Sequence, residues 1–181
     1  SAWGVPMRAS VGYADRDGIL DRDNFKRTTA SLSLTPTLLD DHLKIELNAR
    51  GMYTENTFGN REAIGKAVEF DPTQSVFDVN SPFAGYFAWI DPSTNQQFNL
   101  APTNPRALID LVDDTAEVRR FVGNAKFDYK LHFFPDITAT VNIGYDKSNS
   151  GGRKLTSEFI PTSDPTFDGS RTTFNQEATN Q

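Results

Sequence analysis

The stretch that decides the fold runs from residue 42 to residue 53 and reads HLKIELNARGMY. From Leu43 onward every second residue is apolar or small, and the residues between them are polar as far as Arg50. Successive side chains of a β-strand point to opposite sides, so a period of two over this length predicts a strand with two different faces. One face of this strand is apolar and the other is charged.

The same alternation recurs elsewhere in the chain. It is strong over residues 121–133 and 137–145 and weaker over residues 5–13 and 29–34. We therefore predict five strands, near residues 5–14, 27–35, 42–54, 118–133 and 137–147. Three of them reach the length of about 9–11 residues that a tilted strand needs to cross a bilayer, whereas strands of soluble proteins usually have about 5–6.

The connections between the predicted strands are of two kinds. Those at residues 35–41 and 134–136 are short, whereas those at residues 15–26 and 55–117 are long. Alternate connections of an up-and-down antiparallel sheet lie on the same edge, so the short ones share one end and the long ones the other. Outer-membrane barrels have this asymmetry, with short periplasmic turns and long extracellular loops. We predict an all-β fold, an antiparallel up-and-down transmembrane β-barrel segment with short helices in the extracellular loop 55–117.

The cost of placing charge in lipid decides which face points inward. Each Arg or Lys turned toward the bilayer midplane costs about 2–4 kcal/mol, so we expect the charged parity to face the lumen. The predicted lumen-facing residues are Arg8, Lys44, Glu46, Arg50, Arg120, Asn124, Lys126, Asp128, Lys130 and His132. This set either guides a substrate, pairs with acidic residues of a plug, or is simply a hydrated wall.

Composition excludes several functions. The chain of 181 residues has no cysteine, which excludes disulfides, a thiol nucleophile and Cys-type zinc sites. Its net charge of -6 argues against a nucleic-acid surface, which needs a basic face. Both histidines, His42 and His132, fall near the short-turn edge, and the motifs of hydrolases and phosphate-binding loops are absent. We therefore predict no enzyme, no catalytic residues, no metal and no cofactor.

The long loop holds the acidity of the chain. Residues 55–117 contain ten acidic and three basic residues, so the remainder is close to neutral. Within the loop we predict a helix at residues 61–68 and a second one that starts with Asn104 as N-cap and Pro105 at its first position. Between them lies an aromatic cluster, Phe83, Tyr86, Phe87 and Trp89. These aromatics either contact a lid protein or sugar rings, or form a small core of the loop itself.

The connection at residues 15–24, DRDGILDRDN, is similar at first sight to a calcium-binding loop. An EF-hand loop that began at Asp15 would need a bidentate Glu at its twelfth position, where Lys26 stands. The EF-hand interpretation therefore fails. A solvated hairpin tip is the favoured alternative, and a different calcium site stays open.

Taken in order, short segments over residues 5–146 resemble one family. They are MRASVGY (7–13), DGIL (17–20), FKRTT (25–29), LSLTP (32–36), DHLK (41–44), AIGKA (63–67), DPTQ (71–74), VFD (76–78), NP (104–105), GN (123–124) and DYKLHF (128–133). The family is that of the SusC/RagA-type TonB-dependent transporters of Bacteroidetes. No single motif is specific, but the ordered series is.

The resemblance implies a barrel of 22 strands around an N-terminal plug, in the outer membrane of a Gram-negative bacterium of the Bacteroidetes. It implies import of oligosaccharides or peptides, with energy from TonB and a SusD-like lipoprotein as a lid. Because the chain shows no TonB box, plug or closing strand, we expect an interior segment, residues 1–181, of a longer protein that reaches TonB through another region.

Two alternatives come from other functional classes. A soluble or surface β-rich binding or adhesin module would also explain the acidic, aromatic loop. A β-sheet hydrolase is more remote, because it would need polar groups that converge in a pocket. The discriminating observation is whether the apolar face of the strand at residues 42–54 packs against a second sheet.

Overall fold

The computed structural model describes residues 5–134 and 136–181, and it is dominated by one antiparallel sheet. In chain order its elements are β1 (Met7–Asp17), β2 (Asn24–Leu34), β3 (Thr37–Leu38), β4 (Leu43–Thr57), α1 (Glu62–Glu69), β5 (Ile90–Asp91), β6 (Gln96–Gln97), α2 (Pro105–Asp110), β7 (Val112–Lys130), β8 (Thr138–Thr156) and β9 (Ser170–Asn180). The large sheet has the order β1-β2-β4-β7-β8-β9, with β3 paired to β4, and β5 and β6 form a separate small hairpin. The predicted up-and-down antiparallel fold is confirmed.

The strands are longer than the alternation indicated. β7 and β8 have 19 residues each, and β8 runs to Thr156 rather than ending near residue 147. The backbone ladder between them continues after both faces have become polar, because its hydrogen bonds do not depend on side-chain polarity. Alternation of apolar and polar residues identifies only the part of a strand that has one apolar face. It does not identify the part in which both faces are polar.

A sixth long strand, β9, was missed for the same reason. β9 pairs with residues 146–156, the polar outer half of β8, and Phe174 is its one large apolar residue. Without an apolar face the segment has no period-two signal. At the opposite end β7 stops at Lys130, short of the predicted residue 133, because β4 and β8 offer no ladder partner beyond Leu43 and Thr138.

All short turns lie at one end of the sheet and all long connections at the other. The turns at residues 35–42 and 131–137 share one end, although residue 135 of the second lies outside the described residues. The connections at residues 18–23, 58–111 and 157–169 share the opposite end. Among residues 5–134 and 136–181, neither helix has the length and apolar character needed to cross a membrane.

The buried core lies in the long connection and not beneath the sheet. The buried apolar residues of the described chain are Ala63, Phe70, Phe83, Ala88, Ala107, Leu108 and Val112. No second layer covers either face of the sheet within the described residues. Large apolar side chains of the sheet are therefore exposed, such as Val11 at 82% and Ile143 at 59%. An apolar surface of this kind on a folded sheet marks a contact with protein or with lipid.

Candidate functional site

The register of the sheet separates the side chains into two faces. Residues directly opposite each other in an antiparallel pair point to the same side. On one face Met7, Leu34, Leu47, Ala125 and Ile143 form a row across five strands. On the other face the neighbouring row is Arg8, Ser33, Asn48, Asn124 and Gly144. We call these the apolar face and the polar face.

Nine of the ten residues predicted to face the lumen lie on the polar face, and His132 lies beyond the strand pairing. His132 follows the end of β7, where its ring stacks on His42 at 4.1 Å between centroids. Its Nδ1 lies 2.8 Å from the hydroxyl of Tyr129, whose side chain belongs to the apolar face. The predicted strand continued to residue 133, whereas β7 ends at Lys130. The register therefore assigns His132 to neither face, and its lumen-facing role stays a prediction.

Charged side chains of the polar face pair both across strands and along a single strand. Arg120 on β7 donates from Nε to Oδ1 of Asp146 on β8 at 2.9 Å, within a two-point contact. Asp128 accepts from Nζ of Lys126 at 2.8 Å and from the hydroxyl of Thr140 at 2.7 Å. These pairs fix the side chains of a wall and leave little capacity for a ligand.

Among the candidate residues of the polar face, three cations have no carboxylate within 4.0 Å in the described chain: Arg8, Arg50 and Lys130. Arg50 occupies the middle of the face, opposite Ser31 on one side and Val122 on the other. The unpaired charge of this wall is thus positive. Of the candidate residues on the polar face, these three have the greatest capacity to bind a carboxylate or another anion.

The aromatic cluster of the long connection packs on itself. Phe70, Phe87 and Trp89 form three edge-to-face pairs with centroids 5.0–6.3 Å apart. Phe83 is 6% exposed, and Tyr86 donates its hydroxyl proton to Oδ2 of Asp110 at 2.8 Å. Burial and this hydrogen bond raise the pKa of Tyr86. Of the two interpretations of these aromatics, the structure favours a core of the loop itself.

Asn104 is the centre of this domain-like connection, which we call the cap (residues 58–111). Its side chain is 0% exposed and fully bonded. Nδ2 donates to the carbonyls of Val76 at 2.8 Å and Phe87 at 3.1 Å, and Oδ1 accepts from the amides of Arg106 and Ala107 at 3.0 and 3.4 Å. One side chain thus caps α2, as predicted, and also ties it to two segments of the cap.

The hairpin tip at residues 18–23 docks on the cap through a charged clamp. Arg106 donates to Oδ2 of Asp21 and to Oδ2 of Asp110, both at 2.6 Å. Arg22, which has a left-handed φ of 65°, donates to the carbonyl of Asp110 at 2.8 Å at the C-terminal end of α2. The tip is therefore anchored to the cap. No sequence signal connected Asp21 with Arg106, 85 residues away.

The clamp holds the pKa of Asp21 below its ordinary value, through the hydrogen bond from Arg106 and its positive charge. A carboxyl group whose pKa is lowered on folding contributes stability above its unfolded pKa, and the contribution is lost as pH falls through the folded value. The clamp is therefore intact at neutral pH and released in strong acid. Asp21→Asn imitates the protonated state at neutral pH.

We expect Asp21→Asn to raise the rate of proteolytic cleavage within residues 18–23 on the order of two- to fivefold, since exposed ion pairs contribute little. The measurement is limited proteolysis of the full-length protein at neutral pH. Asp23→Asn is the matched control, because Asp23 is in the same turn and makes no ion pair among the described residues. Equal cleavage of the two variants would refute the clamp.

The third long connection also contacts the cap. The amide of Gln97 donates to the carbonyl of Thr162 at 3.1 Å, and Ser163 donates to Oδ1 of Asn99 at 3.2 Å. The amide of Ser157 donates to the carbonyl of Leu111 at 2.9 Å. Three connections from one end of the sheet thus form one assembly over that end.

Apolar side chains remain exposed on the outside of the cap. Leu100 is 96% exposed, Val79 92% and Phe77 58%, while Ile64 and Val68 on α1 are also exposed. Contact with a partner was predicted for the aromatic cluster and not for these residues, because the sequence does not show which apolar side chains of the cap stay exposed. They are the residues of the cap best placed to contact a partner.

The fold and the two faces define the class of the protein. A long-stranded antiparallel sheet with one bare apolar face, one polar face and a folded cap at the long-loop end is a segment of an outer-membrane β-barrel.

Comparison with known proteins narrows the class. No protein-family model matches the chain. It is 38% identical over 152 residues to the TonB-dependent receptor SusC of Bacteroides thetaiotaomicron, a match that covers 77% of this chain and 15% of that protein. The chain belongs to the SusC-type TonB-dependent transporters, and it spans about 15% of the length of the relative it matches.

Proposed function

We propose that the full-length protein imports a nutrient across the outer membrane of a Gram-negative bacterium of the Bacteroidetes, in a TonB-dependent manner. The observation that carries this proposal is the separation of the faces over five strands, with a bare apolar face on one side. The described chain contributes wall and external cap to the transporter. The substrate class is an oligosaccharide or a peptide.

The structure gives the soluble adhesin alternative less support. A soluble β-rich domain buries the apolar face of its sheet against a second layer. Within the described residues the apolar face has no such layer, and the small core lies in the cap. The lipid bilayer is the partner that covers this face in the proposed function.

The polar face has one of two roles in transport. Arg8, Arg50 and Lys130 either bind acidic residues of a plug domain or attract a substrate, while the paired residues form a hydrated wall. In both roles the positive charge of these side chains attracts a negatively charged group. Arg50→Gln removes a central cation and leaves the apolar face unchanged.

Uptake in cells tests the function. The gene for the full-length protein is deleted, and the strain is supplied with labelled oligosaccharides or labelled peptides as alternative nutrients. We expect the deletion to abolish uptake of one class, the intact gene to restore it, and depletion of TonB to remove it again. Uptake of both classes at the original rate after deletion would contradict import by this protein.

The cap is proposed to bind a SusD-like lipoprotein as a lid. The cap and the two connections anchored to it present a fixed surface. The exposed residues Val79 and Leu100 supply apolar contacts that are not used within the cap. The aromatic cluster supports the contact indirectly, since Phe87 and Trp89 hold the cap together. The lid would close the extracellular mouth above the polar face.

We expect the double variant Val79→Ser with Leu100→Ser to weaken lid binding about tenfold, since truncated apolar anchors at an interface often cost about 1 kcal/mol or more. Copurification of the two proteins at equal membrane levels is the measurement. Phe133→Ser removes an apolar side chain of 92% exposure at the opposite end of the sheet and is the control. Unchanged copurification of the double variant would place the lid elsewhere.

A further inference from the structure

We propose that the outer end of the polar face is a subsite for an acidic oligosaccharide, whose carboxylates or sulfates are bound by Arg16 and Arg27. The inference rests on the proposed function and deepens it, because it assigns a charge to the imported substrate. The subsite consists of two rows of side chains on the lumen wall, close to the point where β4 leads into the cap. None of its residues was predicted from the sequence to face the lumen.

The two faces of the sheet differ in charge. The six long strands place nine cations and four carboxylates on the polar face, an excess of five positive charges. They place five cations and six carboxylates on the apolar face. The cap is also acidic, with six carboxylates and three cations in residues 58–111. In a chain of net charge -6, positive charge is therefore concentrated on the lumen wall, the surface that would attract an anion.

Ion pairs use only part of this positive charge. Three of the nine cations are paired with carboxylates of the same face: Lys44 with Glu46, Arg120 with Asp146 and Lys126 with Asp128. Six have no carboxylate within 4.0 Å among the described residues: Arg8, Arg16, Arg27, Arg50, Lys130 and Lys154. The remaining carboxylate, Asp114, lies directly opposite Lys154. Even with that pair counted as neutral, five cations are left without a counter-ion.

Arg16 and Arg27 are the closest two of these cations in the register. Arg16 lies directly opposite Phe25, and Arg27 is two residues beyond Phe25 on β2. Such diagonal neighbours have Cα atoms about 7–8 Å apart. The guanidinium of Arg27 lies 4.9 Å from the centroid of the Phe25 ring, which holds it against the wall. Each guanidinium has five donors and can bind a carboxylate at two points, so the pair can bind neighbouring anionic groups of one substrate.

Carboxylates close to the two arginines do not neutralise them. Asp15 and Asp17 flank Arg16 in sequence but point to the apolar face. Both accept there from Nδ2 of Asn24, at 2.9 and 2.8 Å. Asp23 lies in the hairpin tip, one residue before β2, and makes no ion pair within 4.0 Å among the described residues. The two arginines therefore keep an excess of positive charge at this end of the polar face.

Uncharged polar groups of the same two rows also lack partners. Within the described chain no side-chain hydrogen bond is made by Thr54, Asn56, Ser150 and Gln176. Polar side chains nearer the middle of the face do pair with one another, at 2.7–2.8 Å: Ser10 with Ser31, Ser33 with Asn48, and Asn124 with Asn142. Hydroxyl and amide groups both donate and accept hydrogen bonds, so the unpaired ones match the hydroxyls of a sugar chain.

Phe174 adds an exposed aromatic surface to these groups. It lies on the polar face directly opposite Gly152, two residues from Gln176, and it is 52% exposed. Its ring covers Gly152, since a Cβ built there would overlap Cε1 and Cζ of the ring. The absence of a side chain at Gly152 gives the ring this space. An exposed aromatic ring beside hydroxyl and amide groups suits the apolar side of a sugar ring.

The distance between the two ends of the subsite indicates an extended ligand. Phe174 on β9 is four strands from Arg27 on β2 and five from Arg16 on β1. Neighbouring strands are about 4.8 Å apart, so the ring lies about 19–24 Å from the arginines along the sheet. A chain of several sugars spans this distance. An acidic peptide would satisfy the arginines, but its backbone groups either donate or accept, so it matches the hydroxyl and amide groups less well.

The test is retention of ligands by the purified full-length receptor. The receptor is incubated with a mixture of neutral, uronate-containing and sulfated oligosaccharides and of acidic peptides, and the retained molecules are identified by mass spectrometry. We expect acidic oligosaccharides to be retained in preference to neutral ones, and Arg16→Gln with Arg27→Gln to reduce that preference about tenfold. Added salt should weaken the preference of the wild type more than that of the double variant. Equal retention of neutral and acidic oligosaccharides by the wild type, or selection of the peptides, would overturn the proposal.

Lys26→Gln with Arg171→Gln is the matched control, because it removes two exposed cations from the opposite face at the same end of the sheet. We expect the control to select acidic oligosaccharides as the wild type does. Equal loss in both double variants, or an unchanged preference in Arg16→Gln with Arg27→Gln, would rule out the subsite. If deletion of the gene left all nutrient uptake intact while the receptor still selected acidic oligosaccharides, only the proposed import would be wrong.

A second pair of variants tests the aromatic end without changing any charge. Phe174→Leu keeps an apolar side chain over Gly152 but removes the ring, whereas Phe174→Tyr keeps the ring. We expect Phe174→Leu to retain severalfold less of both acidic and neutral oligosaccharides, with the preference for acidic ones intact, and Phe174→Tyr to match the wild type. The comparison is made at equal amounts of assembled, heat-modifiable protein. Retention by Phe174→Leu at the wild-type level would overturn the assignment of Phe174 to the subsite.

Discussion

Leu47→Arg is expected to remove most of the full-length protein from the outer membrane. Leu47 is at the centre of the apolar part of β4, between Leu43 and Gly51, and its side chain lies in the row of Leu34 and Ala125. An arginine turned toward lipid near the bilayer midplane costs about 2–4 kcal/mol. That is a large fraction of the stability of a typical folded domain. Assembled, heat-modifiable protein in outer-membrane fractions is the quantity to measure.

The matched control is the next residue. Asn48→Arg places the same side chain on the polar face, in the row of Ser33 and Asn124. It breaks the hydrogen bond of 2.8 Å from Ser33 to Oδ1 of Asn48, a loss of about 1 kcal/mol, but places the charge away from lipid. We expect near-normal assembly. If both variants lost assembled protein equally, the loss would come from any added arginine and not from its contact with lipid. If Leu47→Arg assembled normally, the apolar face could not be in contact with lipid.

Asn104→Ala is expected to unfold the cap while leaving the sheet assembled. The substitution deletes four hydrogen bonds. It leaves the carbonyl of Phe87 and the amides of Arg106 and Ala107 without this partner, while the carbonyl of Val76 keeps the amide of Phe87. Each unsatisfied buried group costs about 1–3 kcal/mol, so the cap loses several kcal/mol in all. Rapid proteolysis within residues 58–111, together with loss of lid binding, should report the change.

Asn104→Asp separates the two functions of this side chain. The carboxylate keeps the acceptor for the α2 amides but has no donor for the carbonyls of Val76 and Phe87, and it buries a charge. We expect it to be as damaging as Asn104→Ala. Asn80→Ala is the control, because Asn80 is exposed in a turn of the same cap. If the cap of Asn104→Ala resisted protease, the hydrogen bonds of Asn104 would not be needed to keep the cap folded.

The sequence was sufficient to predict which residues lie on each face of the sheet, because one physical constraint determines the two faces. A strand with water on one side and an apolar medium on the other must alternate, so Leu43 to Gly51 could be assigned to one face without a structure. The register then put nine of ten predicted polar residues together. The alternation could not assign His132 to a face, because the end of a strand depends on its partner strands and the sequence of one segment does not show where those strands end.

The polar outer halves of the strands could not be predicted from the periodicity of apolar residues. β9 and the last ten residues of β8 have polar residues on both faces, and their pairing depends on a backbone ladder between distant segments. The same holds for the contacts of the cap. Asn104 was predicted as an N-cap from the local Asn-Pro pair, but its bonds to Val76 and Phe87, and the clamp from Arg106 to Asp21, depend on how loops meet in space.

The most direct test of the account is a nitroxide scan of residues 43–53 in the full-length protein in liposomes. Single cysteines are introduced after any cysteine elsewhere in the full-length protein is replaced, and this chain contributes none. The account predicts that the odd positions from 43 to 51 are accessible to molecular oxygen, which concentrates in lipid, and that the even positions are accessible to a water-soluble nickel chelate. The two accessibilities should alternate with a period of two. Odd positions shielded from both reagents would show that protein covers the apolar face, and the assignment of this chain to a lipid-facing barrel wall would be wrong.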